Sequence, residues 1–286
     1  MSFRSPSSLL PRILPNAVMA WWHEVSHSEP WSASYQAFRT RELARLLGRG
    51  PTRVPTRPFG AWIDERIVEY PWVLERLESM PPGSRLLDAG AGLNSPIPLR
   101  RLLSRGLRIR CVTLERERFA DPCVDYSEAD LRRLPFDDES FEATCCLSTL
   151  EHVGMDNARY ARGAAAARSD PGEWRAAVGE LWRVTARGGR LLITAPCGRA
   201  VDHGWFQVLA PDLDDQVRGL LPHAEVRAAW YRHRADGWHA VRRDDVAACE
   251  CWDPASTGTM SSPRRAAFSE AIVCIDIRRP VVDRTA

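Results

Sequence analysis

From residue 84 onward the chain alternates short apolar runs with helical segments, and that rhythm constrains the fold more than any other feature. Strands separated by helices bury both faces of a parallel sheet, so the pattern predicts βαβ units in an α/β fold. The runs cover 85–88, 109–114, 143–147, 191–195, 226–231 and 271–277. A helix is predicted over 174–184, and Gly188-Gly189 reads as the turn into the run at 191.

Residues 1–55 are rich in Pro, Ser and Arg and hold one predicted helix, over 34–47, where Ala37, Leu43, Leu46 and Leu47 recur at helical spacing. A second helical stretch, over 61–80, places Trp62, Ile63, Ile67, Val68, Trp72, Val73 and Leu77 on one apolar stripe, with Pro71 marking a kink or a restart. The expected division is an N-terminal arm over 1–55, partly helical or disordered, and one domain over 56–286.

Composition excludes several classes. With 286 residues, roughly three quarters of the unfolded surface can be buried, so disulfides are not needed. Hydrophobic residues at 44% and charged residues at 27% suit a soluble globular chain, and no apolar run approaches the about 18 residues of a membrane span. The basic residues are all Arg, 39 against 37 acids, and a net charge of +2 is too even to argue for a nucleic-acid or acidic-membrane partner. Of eight Cys, only Cys249 and Cys251 stand at ligand-like spacing, with no second pair to complete a zinc set, so no metal is expected. Residues 1–23 lack any acid and carry Arg4 and Arg12, but Pro11 and Pro15 break the apolar stretch of a secretory signal; the expected compartment is the reducing cytoplasm.

The sharpest local signal is Leu86-Leu87-Asp88-Ala89-Gly90-Ala91-Gly92-Leu93-Asn94, an apolar strand running into a glycine turn before a helix predicted over 97–103. Glycines there let backbone approach a ligand closely, and the helix start favours negative charge. The next strand ends at Glu115, placed to accept both ribose hydroxyl protons of an adenosyl ligand. Later come Asp130-Leu131-Arg132-Arg133-Leu134-Pro135-Phe136, then Ser148-Thr149-Leu150-Glu151-His152-Val153-Gly154, then the strand that begins after Gly188-Gly189 and ends in Thr194-Ala195-Pro196.

These five segments, in this order, resemble the class I S-adenosylmethionine-dependent methyltransferases over residues 84–280. Asp64–Trp72, Leu93-Asn94, Ser148–Asn157 and His203-Gly204-Trp205-Phe206-Gln207 are similar, more narrowly, to a bacterial subgroup associated with surface-glycan and secondary-metabolite gene sets. The resemblance implies a Rossmann-like, mostly parallel sheet of seven strands with helices on both faces and an N-terminal helical extension. It implies S-adenosylmethionine as cofactor and a small-molecule or glycan acceptor, methylated at oxygen. Carried over by position, Asp88, Gly90 and Gly92 form the turn around the methionine moiety, Glu115 holds the ribose, Asp130 and the Leu131 backbone meet the adenine amino group, and Ser148 lies by the sulfonium. Asn94 stands where many relatives have a third Gly, and tolerates a left-handed backbone there.

Asp64–Trp72 is expected to wall the cofactor, with Arg66 on its carboxylate or else bridging Asp64 or Glu69. A base is needed only for a poor nucleophile, and His152, His203 and His239 are the candidates. His203, Trp205 and Gln207 follow the strand ending at Pro196 and are expected to line the acceptor pocket, unless Trp205 and Phe206 only anchor a loop. Two rivals stand beside this reading. A nicotinamide-dependent oxidoreductase wants a third glycine where Ser95 stands. A catalytically silent adenosyl-binding module carries the same cofactor motifs and differs only in lacking turnover.

Overall fold

The computed structural model describes residues 33–48, 50–115, 120–163, 167–251 and 269–281. The first 32 residues, including Arg4 and Arg12 and most of the expected arm, lie outside them, as does Glu117. In chain order the main elements are α1 (Ala33–Leu47), α2 (Arg66–Leu77), β1 (Arg85–Ala89), α3 (Pro96–Ser104), β2 (Arg108–Thr113), β3 (Val124–Glu128), β4 (Phe141–Leu147), α4 (Trp174–Val184) and β5 (Thr185–Pro196). They continue with β6 (Val201–Asp202), β7 (Gln207–Val208), α5 (Leu213–Leu220), β8 (Glu225–Arg234), β9 (Gly237–Val241) and β10 (Ala271–Arg278).

One sheet has the order β3-β2-β1-β4-β5-β10-β8-β9. Strands β1 to β5 pair in parallel, while β10 runs antiparallel to both β5 and β8. Alternate side chains feed opposite faces: Leu86 joins the core formed with Phe38, Ile67 and Leu99, and Leu87 joins the core formed with Leu181 and Val217. Helices α1, α2 and α3 therefore cover one face and α4 and α5 the other.

The sheet has eight strands rather than the seven expected. The additional strand, β9, forms a hairpin with β8, and its work is to hold the chain ahead of α2. Trp238 is fully buried, its indole N–H donates to the Ile63 carbonyl at 2.9 Å, and its backbone N–H donates to the Phe59 carbonyl at 2.7 Å. Helix α2 starts at Arg66 rather than near residue 61 because Gly60 and Trp62 both take a positive φ (66° and 65°), which no helix continues. It then runs through Pro71 without a restart. The Gly188-Gly189 pair is a bulge inside β5 rather than a turn before it: Phe141 pairs with Thr185 and Ala143 with Arg190, so the intervening residues of β5 loop out of register.

Candidate active site

The strand order reverses between β1 and β4, and in open α/β sheets such a reversal opens a crevice at the carboxyl ends of the strands. Three interactions shape the turn after β1. Asp88 is fully buried and its carboxylate accepts the Leu93 N–H at 3.0–3.1 Å. The Gly90 N–H donates to the Val112 carbonyl at 2.7 Å, tying the turn to β2. The turn also presses on the end of β4: a Cβ at Gly90 would lie 2.2 Å from the Thr149 side chain, and one at Gly92 would lie 2.6 Å from Leu147 Cβ. The glycines are therefore demanded first by protein packing, with φ +92° at Gly90 adding a backbone reason, rather than by close approach of a ligand alone.

A cleft lies over these strand ends. Gly90, Glu115, Asp130, Leu131 and Ser148 all line it, so five of the residues singled out in the sequence converge, joined by Arg66 and His152. Glu115 is exposed, whereas Leu131 is buried. Asp130 is engaged: Arg132 Nε lies 2.9 Å from each of its oxygens, and the Arg132 backbone N–H donates to Oδ1. Burial raises the Asp130 carboxyl, but these bonds outweigh it and hold it below its ordinary pKa. Arg132, which also lines the cleft and was not singled out in the sequence, is thus its electrostatic organiser on that side.

A second cavity adjoins the first, and Arg66, Ser148, His152 and Tyr160 line both. Its other walls come from α1 (Arg39), the segment before α2 (Asp64 and Glu65), Glu151, and the aromatic pair Trp205 and Phe206. Arg66 Nη1 bonds Glu69 at 2.7 Å and reaches the Leu147 carbonyl at 3.4 Å. Glu69, fully buried, also accepts the Ser148 hydroxyl at 2.6 Å and bonds Thr194. Ser148 sits at φ 40°, a left-handed backbone that a non-glycine residue adopts only when its surroundings hold it there. The helix α2 ion pair and the end of β4 are therefore one assembly.

His152 Nδ1 lies 2.9 Å from the Trp205 carbonyl; a carbonyl only accepts, so Nδ1 carries the proton and Nε2 carries the lone pair. Burial, with help from the nearby Arg66 charge, pushes the ring's pKa down to about 4, against a smaller opposing effect of the Trp205 bond. The ring packs against Tyr160 and Trp205, with centroids 5.1 and 5.4 Å away.

Asp88 and Gly92 shape the turn without lining either cavity, and four further expected residues stand elsewhere. Asn94 is not the left-handed residue of the turn; Ala91 is, at φ 58°, because the chain reverses one residue after Gly90, and the Asn94 side chain instead accepts the Tyr126 hydroxyl at 2.9 Å. Gln207 lines a separate depression with Pro171 and Leu213, its amide donating to the Pro171 carbonyl at 2.7 Å, since β7 turns it away from Trp205. His203 is not among the residues lining either cavity: its ring stacks on Phe206 at 4.5 Å and its Nε2 donates to the Cys251 carbonyl at 3.1 Å. His239 lies on β9 beside Asp236, at 2.7 Å. Trp205 does line the second cavity. Among the described residues, no cluster of three or more His, Cys, Asp or Glu is placed to hold a metal, and no helix is long and apolar enough to cross a membrane.

Residues 87–193 match the family described as "Methyltransferase domain". No curated protein matches the chain. Among solved structures, geranyl diphosphate methyltransferase in complex with S-adenosylmethionine superposes with a TM-score of 0.51 at 15% identity, over 89% of this chain and 94% of that one. The [4+2]-cyclase SpnF covers 93% of this chain and 96% of its own at 18% identity, with a TM-score of 0.49. A Burkholderia thailandensis 1,6-didemethyltoxoflavin-N1-methyltransferase covers 70% and 72% at 14% identity, with a TM-score of 0.42.

Proposed function

We infer that this chain, a class I S-adenosylmethionine-dependent methyltransferase, transfers the methyl group to an oxygen of a small-molecule or glycan acceptor seated in the second cavity. The observation that carries this reading is the shared wall: Arg66, Ser148, His152 and Tyr160 line both cavities, so two ligands would meet across them. In this reading residues 56–286 form the transferase unit, and the arm over 1–55 contributes Arg39 to the acceptor side.

The donor groups of the first cleft fit the cofactor. Glu115 presents an exposed carboxylate suited to a pair of ribose hydroxyls, and Asp130 with Leu131 forms the edge for the adenine. Asp88, Gly90 and Gly92 hold the turn against which the methionine portion would rest. Arg66 has Nη1 committed to Glu69, and its remaining guanidinium N–H groups suit the cofactor carboxylate. When bound, the cofactor supplies a methyl on a sulfonium, already activated toward a nucleophile approaching opposite the sulfur.

The remaining work falls to the acceptor side. Trp205, Phe206 and Tyr160 form a wall that seats the acceptor and keeps water from competing. His152 takes the proton. As the new C–O bond forms, the methyl–sulfur bond breaks, its electron pair stays on sulfur, and the acceptor hydroxyl becomes strongly acidic. A ring with its pKa near 4 is neutral at neutral pH and accepts at Nε2, but it takes a proton only from a hydroxyl acidified in this way, so proton transfer follows bond formation. This gives His152 the role expected of His152 or His203.

Calorimetric titration with S-adenosylmethionine and S-adenosylhomocysteine tests the first half. Methyl transfer from labelled cofactor to sugars, phenols and small carboxylates, with mass spectrometry of the products, tests the second. Tight cofactor binding without turnover on any of them would favour the silent adenosyl-binding module.

A further inference from the structure

Four carboxylic acids crowd the α2 side of the second cavity, and among the described residues only two of them form ion pairs. Asp64 pairs with Arg39 at 2.6 Å, and Glu69 pairs with Arg66 at 2.7 Å. Glu65 and Glu151 line the cavity without a cation, and the Oε2 atom of each is buried with no hydrogen-bond partner among the described residues. Glu151 is only 3% exposed. A buried carboxyl oxygen with nothing bonded to it is unfavourable by itself, and two facing one cavity point to a ligand that supplies donors there.

We propose that the acceptor carries a protonated amine beside its hydroxyls, and that Glu65 and Glu151 hold this ammonium while a hydroxyl faces the cofactor. The proposal rests on the methyltransferase reading and names the acceptor's class within it. An ammonium brings up to three N–H donors and one positive charge, which answers both deficits of the cavity. A metal ion is the poorer candidate, since no ligand cluster for one exists among the described residues. The aromatic wall suits the same ligand, because Trp205, Phe206 and Tyr160 give the cavity an apolar side for the ligand's carbon skeleton. Held as a cation, the nitrogen has no lone pair to attack with, so methylation goes to oxygen.

Burial, then Asp64 and Glu69, push Glu65 up to about 8, and burial with the neighbouring Glu69 charge pushes Glu151 well above the carboxylate range, against the lowering effects of its own backbone N–H and of Arg66. An arriving ammonium reverses that balance, and the acids ionise.

The test is calorimetry at pH 7 with saturating S-adenosylhomocysteine, using glucosamine, ethanolamine and tyramine against their N-acetyl counterparts. Amines are expected to bind at least about tenfold more tightly than the N-acetyl forms. Repeating the titration in buffers of different ionisation enthalpy should show protons released on amine binding and none for the N-acetyl forms. Glu151→Gln and Glu65→Gln should each remove most of the preference and of the proton release, with melting curves reporting that the variants fold. Equal affinity for the paired probes, no binding of any amine, or a preference that survives both substitutions would overturn the proposal. Failure of S-adenosylhomocysteine to bind would overturn the methyltransferase reading instead, and the amine preference in its absence would be read independently.

Discussion

The two cavities are built by different means. The cofactor cleft is lined by the ends of β1, β2, β3 and β4, and its shape comes from backbone: Asp88 on the Leu93 N–H, Gly90 against Thr149, Gly92 against Leu147. The second cavity, the proposed acceptor site, is lined by side chains from segments far apart in the chain, Arg39 and Ser269 among them, and it retains carboxyl oxygens with no partner among the described residues. One region owes its shape to the turn packed under the sheet ends, and the other is a set of side chains placed on it. Changes in that backbone turn should therefore act through stability, and changes in side chains that face either cavity through binding and chemistry.

The largest effect should come from Gly90→Val. The new Cβ meets Thr149 at 2.2 Å and the residue must hold φ +92°, so unfolding free energy should fall by about 4 kcal/mol or more and cofactor binding should vanish with the fold. Denaturant unfolding followed by circular dichroism measures it. A stable variant that merely binds cofactor weakly would mean that the glycine serves the ligand, and would erase the contrast between the cavities.

That contrast also governs what could be read from the sequence. The first cleft was legible because its residues sit at strand ends, where apolar runs give way to Gly90, Glu115, Asp130 and Ser148 in fixed order. Strand β3 was not, because Val124–Glu128 shows a mostly polar, half-exposed edge with no apolar run. Strand β9 was hidden for a similar reason: its one fully buried large residue, Trp238, packs against a segment ahead of α2, and no local pattern announces a partner so far away. Glu65 and Glu151 lay inside recognised motifs, yet their burial depends on α2 docking beside β4, a tertiary fact. The adjacency of Glu151 to His152 was the one available signal. His203 follows β5 and so reads as an acceptor-side residue, but the β6–β7 hairpin carries its ring toward Cys251.

His152→Gln should produce the next largest change. Methyl transfer should drop by about a hundredfold or more, while an amide N–H can still donate to the Trp205 carbonyl. The pH dependence of stability should change as well. The folded ring titrates near 4 and the unfolded one near its ordinary 6.5, so between those values the unfolded chain binds the proton and the folded chain does not. Stability from this group is fully present above 6.5 and is lost as pH falls toward 4, by on the order of 3 kcal/mol. The difference between wild-type and variant unfolding curves from pH 4 to 7 isolates that slope, and identical slopes would contradict a buried neutral His152.

Glu115→Ala should act on affinity alone. Its carboxylate is exposed and supports no described packing, so melting temperature without ligand should stay put while cofactor affinity falls by about tenfold, the worth of a charge-assisted hydrogen bond. Calorimetry with S-adenosylhomocysteine checks it, and unchanged affinity would move the ribose elsewhere.

The smallest effect is expected from His203→Ala, the substitution that most directly separates the two candidate bases. His203 stacks on Phe206 and donates to the Cys251 carbonyl, so its loss removes one ring contact and one hydrogen bond near the rim of the acceptor cavity. Each is worth about 1 kcal/mol, so stability should fall by no more than about 2 kcal/mol. Phe206 stays packed against Trp205 at 4.7 Å, and Trp205 still receives the His152 N–H, so the geometry of the proposed base is preserved. The transfer rate at saturating acceptor should consequently change by less than about threefold, against the hundredfold expected at His152. A loss of turnover at His203 equal to that at His152, with the melting temperature unchanged, would return the proton to His203. The hairpin would then have to move its ring into the cavity during reaction, and the acceptor side would no longer be the preformed arrangement on which the comparison rests.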